Sequence, residues 1–204
     1  MSDLSLTSPS LKHELLATLK LAGPLVVAFM GYQTITLVDT FAAGRVGVET
    51  LAAVSLGGAL YWAITIFPLG LLIGLDPLMS QALGRGGEAR AWQTCERGLG
   101  LAFALASLTI PLYALLSQPG LPWSPHGSNV SAELLAYATG RMWSAPALLL
   151  HTCLRCFLQA HEHTKPILIG TLLANLLNLP LSLYLGGGDQ LLVSLGLSPW
   201  GYLP

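Results

Sequence analysis

The sequence predicts an all-α integral membrane protein, and three observations carry that prediction. Charged residues make up 9% of the 204 positions, against roughly 25% in an average soluble domain. Hydrophobic residues make up 53%, and the mean hydropathy is +0.64. The charges are also gathered between long uncharged runs, and a spanning helix needs about 20 mainly apolar residues. A soluble fold of this size needs far more charge to cover its surface, so the apolar excess is read as lipid-facing area. Nine basic and ten acidic residues leave a formal net charge of −1, which gives no electrostatic case for nucleic acid.

Five helices follow in order. Residues 1–14 are read as a polar N-terminal segment, and 15–185 as the membrane-spanning unit. The first helix, about 15–43, is built on the uncharged run Leu21–Val38. Thr50–Leu75 carries the second, about 51–83. Gly98–Ala132 is uncharged throughout, but Gln118–Val130 is rich in Pro, Gly and Ser, so the third helix is placed at 97–116 with a loop after it. The run Met142–Leu154 belongs to a fourth helix, about 132–161. Pro166–Gly188 carries a fifth, about 166–185, which Gly186–Gly188 should end. The tail, 186–204, is apolar but interrupted by Gly196, Pro199, Gly201 and Pro204. It is too short and too broken to return across the bilayer, so the chain is expected to stop before a sixth helix. No secretory leader is expected: Asp3, Lys12, Glu14 and Lys20 punctuate the first twenty residues without a short apolar core and cleavage site.

The basic residues predict an orientation. Lys12 and Lys20 precede the first run, Arg85, Arg90 and Arg97 lie between helices two and three, and Arg155 and Lys165 flank the junction of helices four and five. With five alternating helices all of these fall on one side, which is expected to be cytoplasmic together with the N-terminus. Arg45 and Arg141 fall on the other side or near it, and the long loop after helix three has neither Lys nor Arg.

Ionisable residues within apolar spans are expensive and read first as functional. Asp39 directly follows the first run, and Asp76 follows the second and precedes Pro77. Either acid can be a helix end at the headgroups. Asp39 has the stronger functional case, because its helix can continue through Thr40, Phe41 and Ala42 and carry it into the outer leaflet. A carboxylate there either holds a proton or has its charge stabilised by a cation and polar neighbours, which makes it a candidate coupling site for H⁺ or Na⁺. Asn175, Asn178 and Ser182 recur at spacings of three and four on the fifth helix, close to one face. They are candidate partners for the carboxylate, or polar contacts that hold helices together. Pro24, Pro68, Pro77, Pro111, Pro146 and Pro180 fall inside or near the spans, where each can kink its helix.

His151, Cys153, Cys156, His161 and His163 include one CxxC pair and suggest Zn²⁺. There is no second CxxC, and residues ten apart on a helix are separated by about 15 Å. The expectation is therefore small buried cysteines, polar histidines at a helix end and no metal site. The three cysteines, with Cys95, are not a disulfide framework. Gly84, Gly86 and Gly87 sit in a charged turn that lacks the strand and the Gly-Lys-Ser/Thr of a phosphate loop.

The order of residues resembles a known family. The segment LAGPLVVAFMGYQTITLVDTFAAGRVGVETLAAVSLG is similar to the first helix and following loop of multidrug and toxic compound extrusion (MATE) transporters. There an early Pro and a Gln precede Val-Asp-Thr and a short glycine-flanked turn, here Pro24, Gln33, Val38, Asp39, Thr40, Gly44 and Gly47. GLLIGLDPLMSQALGRG, LRCFLQAHEHTKP and NLLNLPLS resemble later family blocks in the right order. The resemblance runs from about Leu15 to Tyr202 and covers the N-terminal half of the family's architecture.

The resemblance implies five helices forming most of one six-helix lobe of a twelve-helix antiporter. Such a protein exports organic, often cationic, compounds in exchange for H⁺ or Na⁺. It implies a multi-pass plasma membrane location, the inner membrane in a bacterium, and no enzymatic activity. It implies no cofactor beyond the coupling ion. Its partners are the lipid bilayer, small organic substrates and a second lobe. The cation-coupling role of the family's first-helix Asp and fifth-helix Asn carries over to Asp39 and Asn178, with Asn175 and Ser182 as neighbours. Gln33 and Tyr137 match cavity-lining positions. Departures are Ser182 where a second Asn is usual, Asp76 where Thr or Ser is commoner, and Cys156 and Ala160 where glycines are usual. Competing readings are a lipid-linked oligosaccharide flippase of the same superfamily, a membrane-embedded metal protein or enzyme using His151, Cys153 and Cys156, and a non-transporting helix bundle.

Overall fold

The computed structural model describes residues 11–123 and 129–185. They form α1 (Leu11–Val46), α2 (Val48–Ile73), α3 (Leu75–Leu116), α4 (Asn129–Arg141), α5 (Ser144–Ala160) and α6 (Lys165–Leu185). Among the described residues there is no strand. This is the architecture that a lipid solvent demands of a single chain segment, since a helix pairs its own backbone groups. Among the described residues two helical stretches, Thr18–Val46 and Val48–Leu116, are long and apolar enough to cross a membrane, with hydropathies of 1.6 and 2.0.

The helix breaks differ from the expected spans in three places, each with a local cause. The helix expected over 51–83 is interrupted at Gly74, and the one expected over 132–161 at Met142–Trp143. In both cases a proline lies just downstream, Pro77 or Pro146. A proline cannot donate to the carbonyl four residues back, and its ring crowds that carbonyl. Here those carbonyls belong to Ile73 and Met142, the residues at the breaks. Pro77 and Pro146 thus sit in the first turns of new helices rather than at kinks inside old ones. The third difference is at Gly87, with φ 70° and ψ −170°, a conformation that favours glycine. There α3 folds back into two limbs, 75–86 and 88–116, so the helix expected at 97 begins earlier. At the N-terminus α1 already includes Leu11, the first described residue, rather than beginning near residue 15. The tail 186–204 lies outside the described residues.

Small residues set the packing. On α2 the buried positions are Ala53, Gly57, Tyr61, Thr65, Pro68 and Leu72, and on the second limb of α3 they include Ala91, Cys95, Gly98, Ala102, Ala106 and Thr109. These recur at helical spacing and give each helix one close-packing stripe. Many large apolar side chains point the other way: Phe67 is 70% exposed and Leu176 also 70%. A surface of that kind is suited to lipid rather than water.

Three buried clusters stack along the bundle of α2 to α5. One holds Tyr61, Tyr113, Ala138 and Ala145, the next Leu72, Ala102, Ala106 and Leu149, and the third Met79, Cys95, Cys153 and Cys156. Met79 meets Cys95, and Leu75 meets Gly98, so the two limbs of α3 run antiparallel. The closest helix partners are α3 with α5 and α1 with α6. The α1–α6 pair lies beside the bundle, joined to it mainly through α2.

Candidate functional site

Gly31 lets α1 and α6 approach. A Cβ at this position would stand 2.6 Å from Thr171 Cγ2 and 3.0 Å from Asn175 Nδ2. About two turns further along α1, Asp39 meets Asn178 and Ser182. The two contact levels advance together on both helices, so α1 and α6 run parallel. Helices one and five of an alternating series must do so.

At the outer level of this seam, Asn178 Nδ2 donates to Asp39 Oδ1 at 3.2 Å, and Ser182 Oγ donates to the same oxygen at 2.9 Å. All three residues are half-buried. Hydrogen bonds to an ionised acceptor are stronger than neutral ones, so the two donors stabilise the charged carboxylate. Both fall on Oδ1, and among the described residues no protein donor reaches Oδ2. The other polar atom of Asn178, Oδ1, is buried and has no hydrogen-bond partner. A buried acceptor without a donor is costly. Placed beside a carboxylate, it leaves the site rich in oxygen, with no cationic side chain paired to Asp39 among the described residues.

Asn175 does not share this arrangement. It lies one turn nearer the start of α6, level with Gly31, and its amide donates to Thr171 O at 2.9 Å. Rise along the axis, about 1.5 Å per residue, separates it from the carboxylate although it shares much the same face. Gln33 is exposed on α1. Thr40 turns its hydroxyl back to Thr36 O at 2.8 Å and does not serve Asp39.

Tyr137 belongs to a cluster of aromatic and polar groups that sequence reading missed. Its ring fills the space over Gly57, where a Cβ would meet it at 2.6 Å. Arg141 lies 4.7 Å from the Tyr61 ring centroid and 5.8 Å from that of Tyr137. Tyr61 and Tyr113 meet edge to face at 5.4 Å, Tyr113 donates to Gly57 O at 3.0 Å, and Ser144 donates to the Tyr61 hydroxyl at 3.0 Å. The sequence signal was present in Arg141, a cation four residues after Tyr137 on α4, but Tyr61 and Tyr113 come from two other helices.

The histidines and cysteines separate. Cys153 and Cys156 face the bundle and donate weakly to Cys95 O and Leu72 O, at 3.7 and 3.6 Å. His151 is on the exposed side of α5, where its Nε2 meets the Tyr32 hydroxyl of α1 at 3.1 Å. Two residues apart on a helix point to nearly opposite faces, so His151 and Cys153 do not share a ligand sphere. Among the described residues, no group of three or more His, Cys, Asp or Glu side chains is placed to hold a metal ion.

The family model of MatE matches residues 24–184, nearly all of this helical array. The chain belongs to the MatE family. Among curated relatives of this MatE chain, a probable multidrug resistance protein NorM of Chromobacterium violaceum is 32% identical over 162 residues, 79% of this chain and 35% of the relative. The multidrug resistance protein NorM of Vibrio vulnificus is 30% identical over 175 residues, 84% of this chain and 37% of the relative. A probable NorM of Idiomarina loihiensis is 29% identical over 165 residues. The chain thus spans little more than a third of the length of these relatives. No solved structure matches it.

Proposed function

We propose that this chain supplies one lobe of a MATE-type antiporter, with Asp39 as the site that binds the coupling ion. The observation that carries the proposal is the seam between α1 and α6. There one carboxylate has two neutral donors on Oδ1, and a buried, unpartnered amide oxygen stands beside it. A proton on the carboxyl group, or Na⁺ among the oxygens, removes the deficit of positive charge without moving the helices. Asn178 and Ser182 hold the carboxylate in place, while Gln33 and Tyr137 border the cavity. Asn175 supports the seam one turn below. Named relatives are multidrug resistance proteins, and the corresponding cargo here is organic, often cationic, compounds exchanged for H⁺ or Na⁺.

In this reading residues 15–185 form most of a six-helix lobe. A second lobe, in the same polypeptide or another, completes the cavity, because alternating access needs two units that rock against each other. The N-terminus and the bend at Gly87 lie in the cytoplasm of a bacterium, where the basic residues Arg85, Arg90 and Arg97 favour retention.

The test is Asp39→Asn in a complete transporter that carries this lobe, reconstituted in vesicles with imposed pH or Na⁺ gradients. Asn keeps the shape but cannot alternate between charged and neutral forms, so it removes the differential ion affinity that links the two fluxes. Export driven by either gradient should fall at least tenfold, with insertion unchanged. Wild-type coupling in the variant under both gradients would remove Asp39 from the mechanism.

A further inference from the structure

The fold-back of α3 creates a hollow at the opposite end of the bundle from Asp39. Its mouth is lined by Gln81, Arg85, Arg90, Gln93, Thr94 and Arg97, and its volume is about 450 Å³. No acidic side chain lines it. Glu88, the nearest acid in sequence to Arg90, lines a separate hollow with Trp92, Phe157 and His161. Helical spacing explains the sorting: Arg90, Thr94, Arg97 and Leu101 recur at intervals of four and three on one face, and Glu88 and Glu96 fall on others.

Below the arginines the hollow continues into a second space of about 370 Å³. The two share Leu78, Thr94 and Arg97, and the second adds Leu75, Gly98 and Leu101. Leu78 is 53% exposed and Leu101 38% exposed, so the groove opens sideways along the apolar wall of α3. Gly98 deepens it, and Gly86 leaves room at the mouth: a Cβ there would stand 2.8 Å from Arg90 Cδ. The result is a cationic mouth at the membrane end of the helices and an apolar groove running from it toward the membrane interior.

We propose that this hollow binds an anionic phospholipid of the leaflet bordering the Gly87 bend, which is the cytoplasmic leaflet in the orientation proposed above. The lipid phosphate sits among Arg85, Arg90 and Arg97, whose planar guanidinium groups suit phosphate oxygens. One acyl chain lies over Leu75, Leu78, Gly98 and Leu101. A free phosphate uses only the mouth; the apolar continuation is the feature that a lipid alone exploits. Basic pockets between membrane helices bind acidic headgroups for the same reason.

The experiment uses the purified 204-residue chain in neutral detergent, titrated with phosphatidylglycerol, with phosphatidylcholine of the same acyl chains, and with sodium phosphate. Bound lipid is counted by native mass spectrometry. Phosphatidylglycerol should bind roughly tenfold or more tightly than phosphatidylcholine, and the preference should shrink as salt rises. Sodium phosphate should not displace it at equal concentration. The triple variant R85Q/R90Q/R97Q should lose the preference, and R85K/R90K/R97K should keep most of it, which separates loss of charge from loss of fold. Equal affinity of the wild-type chain for the two lipids would overturn the proposal. Displacement by phosphate at equal concentration would also overturn it, in favour of a soluble-anion site. A glutamine variant that changes oligomeric state with lipid preference intact would instead mark the hollow as a surface between copies.

Discussion

The α2–α5 bundle and the α1–α6 pair are built to different densities. In the bundle, Thr65, Leu72, Met79, Cys95, Ala102, Leu149, Cys153 and Cys156 are fully buried, and three clusters follow one another along its length. On α1 the buried described residues are Ala28, Ala42 and Ala43, while Leu16, Met30, Leu37 and Phe41 are all more than 60% exposed. The pair meets the bundle through α2 and through side-chain contacts to α5, where Tyr32 meets His151 and Arg155 lies 5.2 Å from the Phe29 ring. The difference shows where a change of state costs least. Close-packed helices resist small displacements, whereas a carboxylate on a two-helix seam can change its bonds without opening the core. The candidate ion site lies on that seam.

Substitutions that overfill each region should separate them. The largest effect on stability is expected from Gly98→Val, because even a Cβ there would stand 2.7 Å from Leu75 Cδ1 and 2.8 Å from Cys153 Sγ. Overpacking of this kind costs about 1–3 kcal/mol, occasionally more, and should appear as a lower midpoint of thermal unfolding in detergent. Gly23→Ala, with nothing within 4 Å of its Cβ, is the matched silent change on α1. Equal loss in both would refute the contrast in packing.

Gly31→Val should act on the seam rather than on the bundle. Its side chain would drive Thr171 and Asn175 away from α1 and shift the level at which Asp39 meets α6. The expected outcome in a complete transporter is impaired ion-coupled export with a smaller fall in unfolding midpoint than for Gly98→Val. The reverse ranking, a stability loss with coupling intact, would make the seam a structural contact only.

Asn178→Ala and Asn175→Ala sharpen the same point at single-atom scale. The first removes a donor to the charged Asp39 carboxylate and the unpartnered amide oxygen, so it should weaken Na⁺ affinity through the lost oxygen, and the lost bond to a charged group is itself worth about 1.5–3 kcal/mol. The second removes a bond from a side chain to its own helix and should cost less. Ion affinity measured by titration in the same vesicles ranks them, and equal effects would count against a site confined to the outer level.

The smallest effect is expected from Tyr113→Phe. It deletes one hydroxyl and leaves the Tyr61 ring contact and the buried volume in place. The lost bond to Gly57 O contributes about 1 kcal/mol, read in the unfolding midpoint with no change in coupling.

Much of the fold was legible because lipid leaves a chain few options. Low charge and long apolar runs between arginine-bearing turns require helices, since only a helix satisfies its own backbone in hydrocarbon. Asp39, Asn178 and Ser182 were legible as a group by helical spacing and by the family's residue order. The sequence also carried the cause of each helix break, in Pro77, Pro146 and Gly87, yet a proline alone does not say whether a helix bends or restarts.

What only the tertiary structure decided is which faces meet and at what height. Rotation of each helix about its axis is set by small residues on its neighbours, such as Gly31 and Gly57, far away in sequence. That rotation sends His151 to Tyr32 on α1 while Cys153 faces Cys95. Axial level, equally invisible in a spacing pattern, puts Asn178 on the carboxylate and Asn175 one turn below it. The arginine-lined hollow has the same origin. Arg85 and Arg90 flank the Gly87 bend in the sequence, but only the antiparallel packing of the two limbs brings Arg97 and Leu78 to the same hollow.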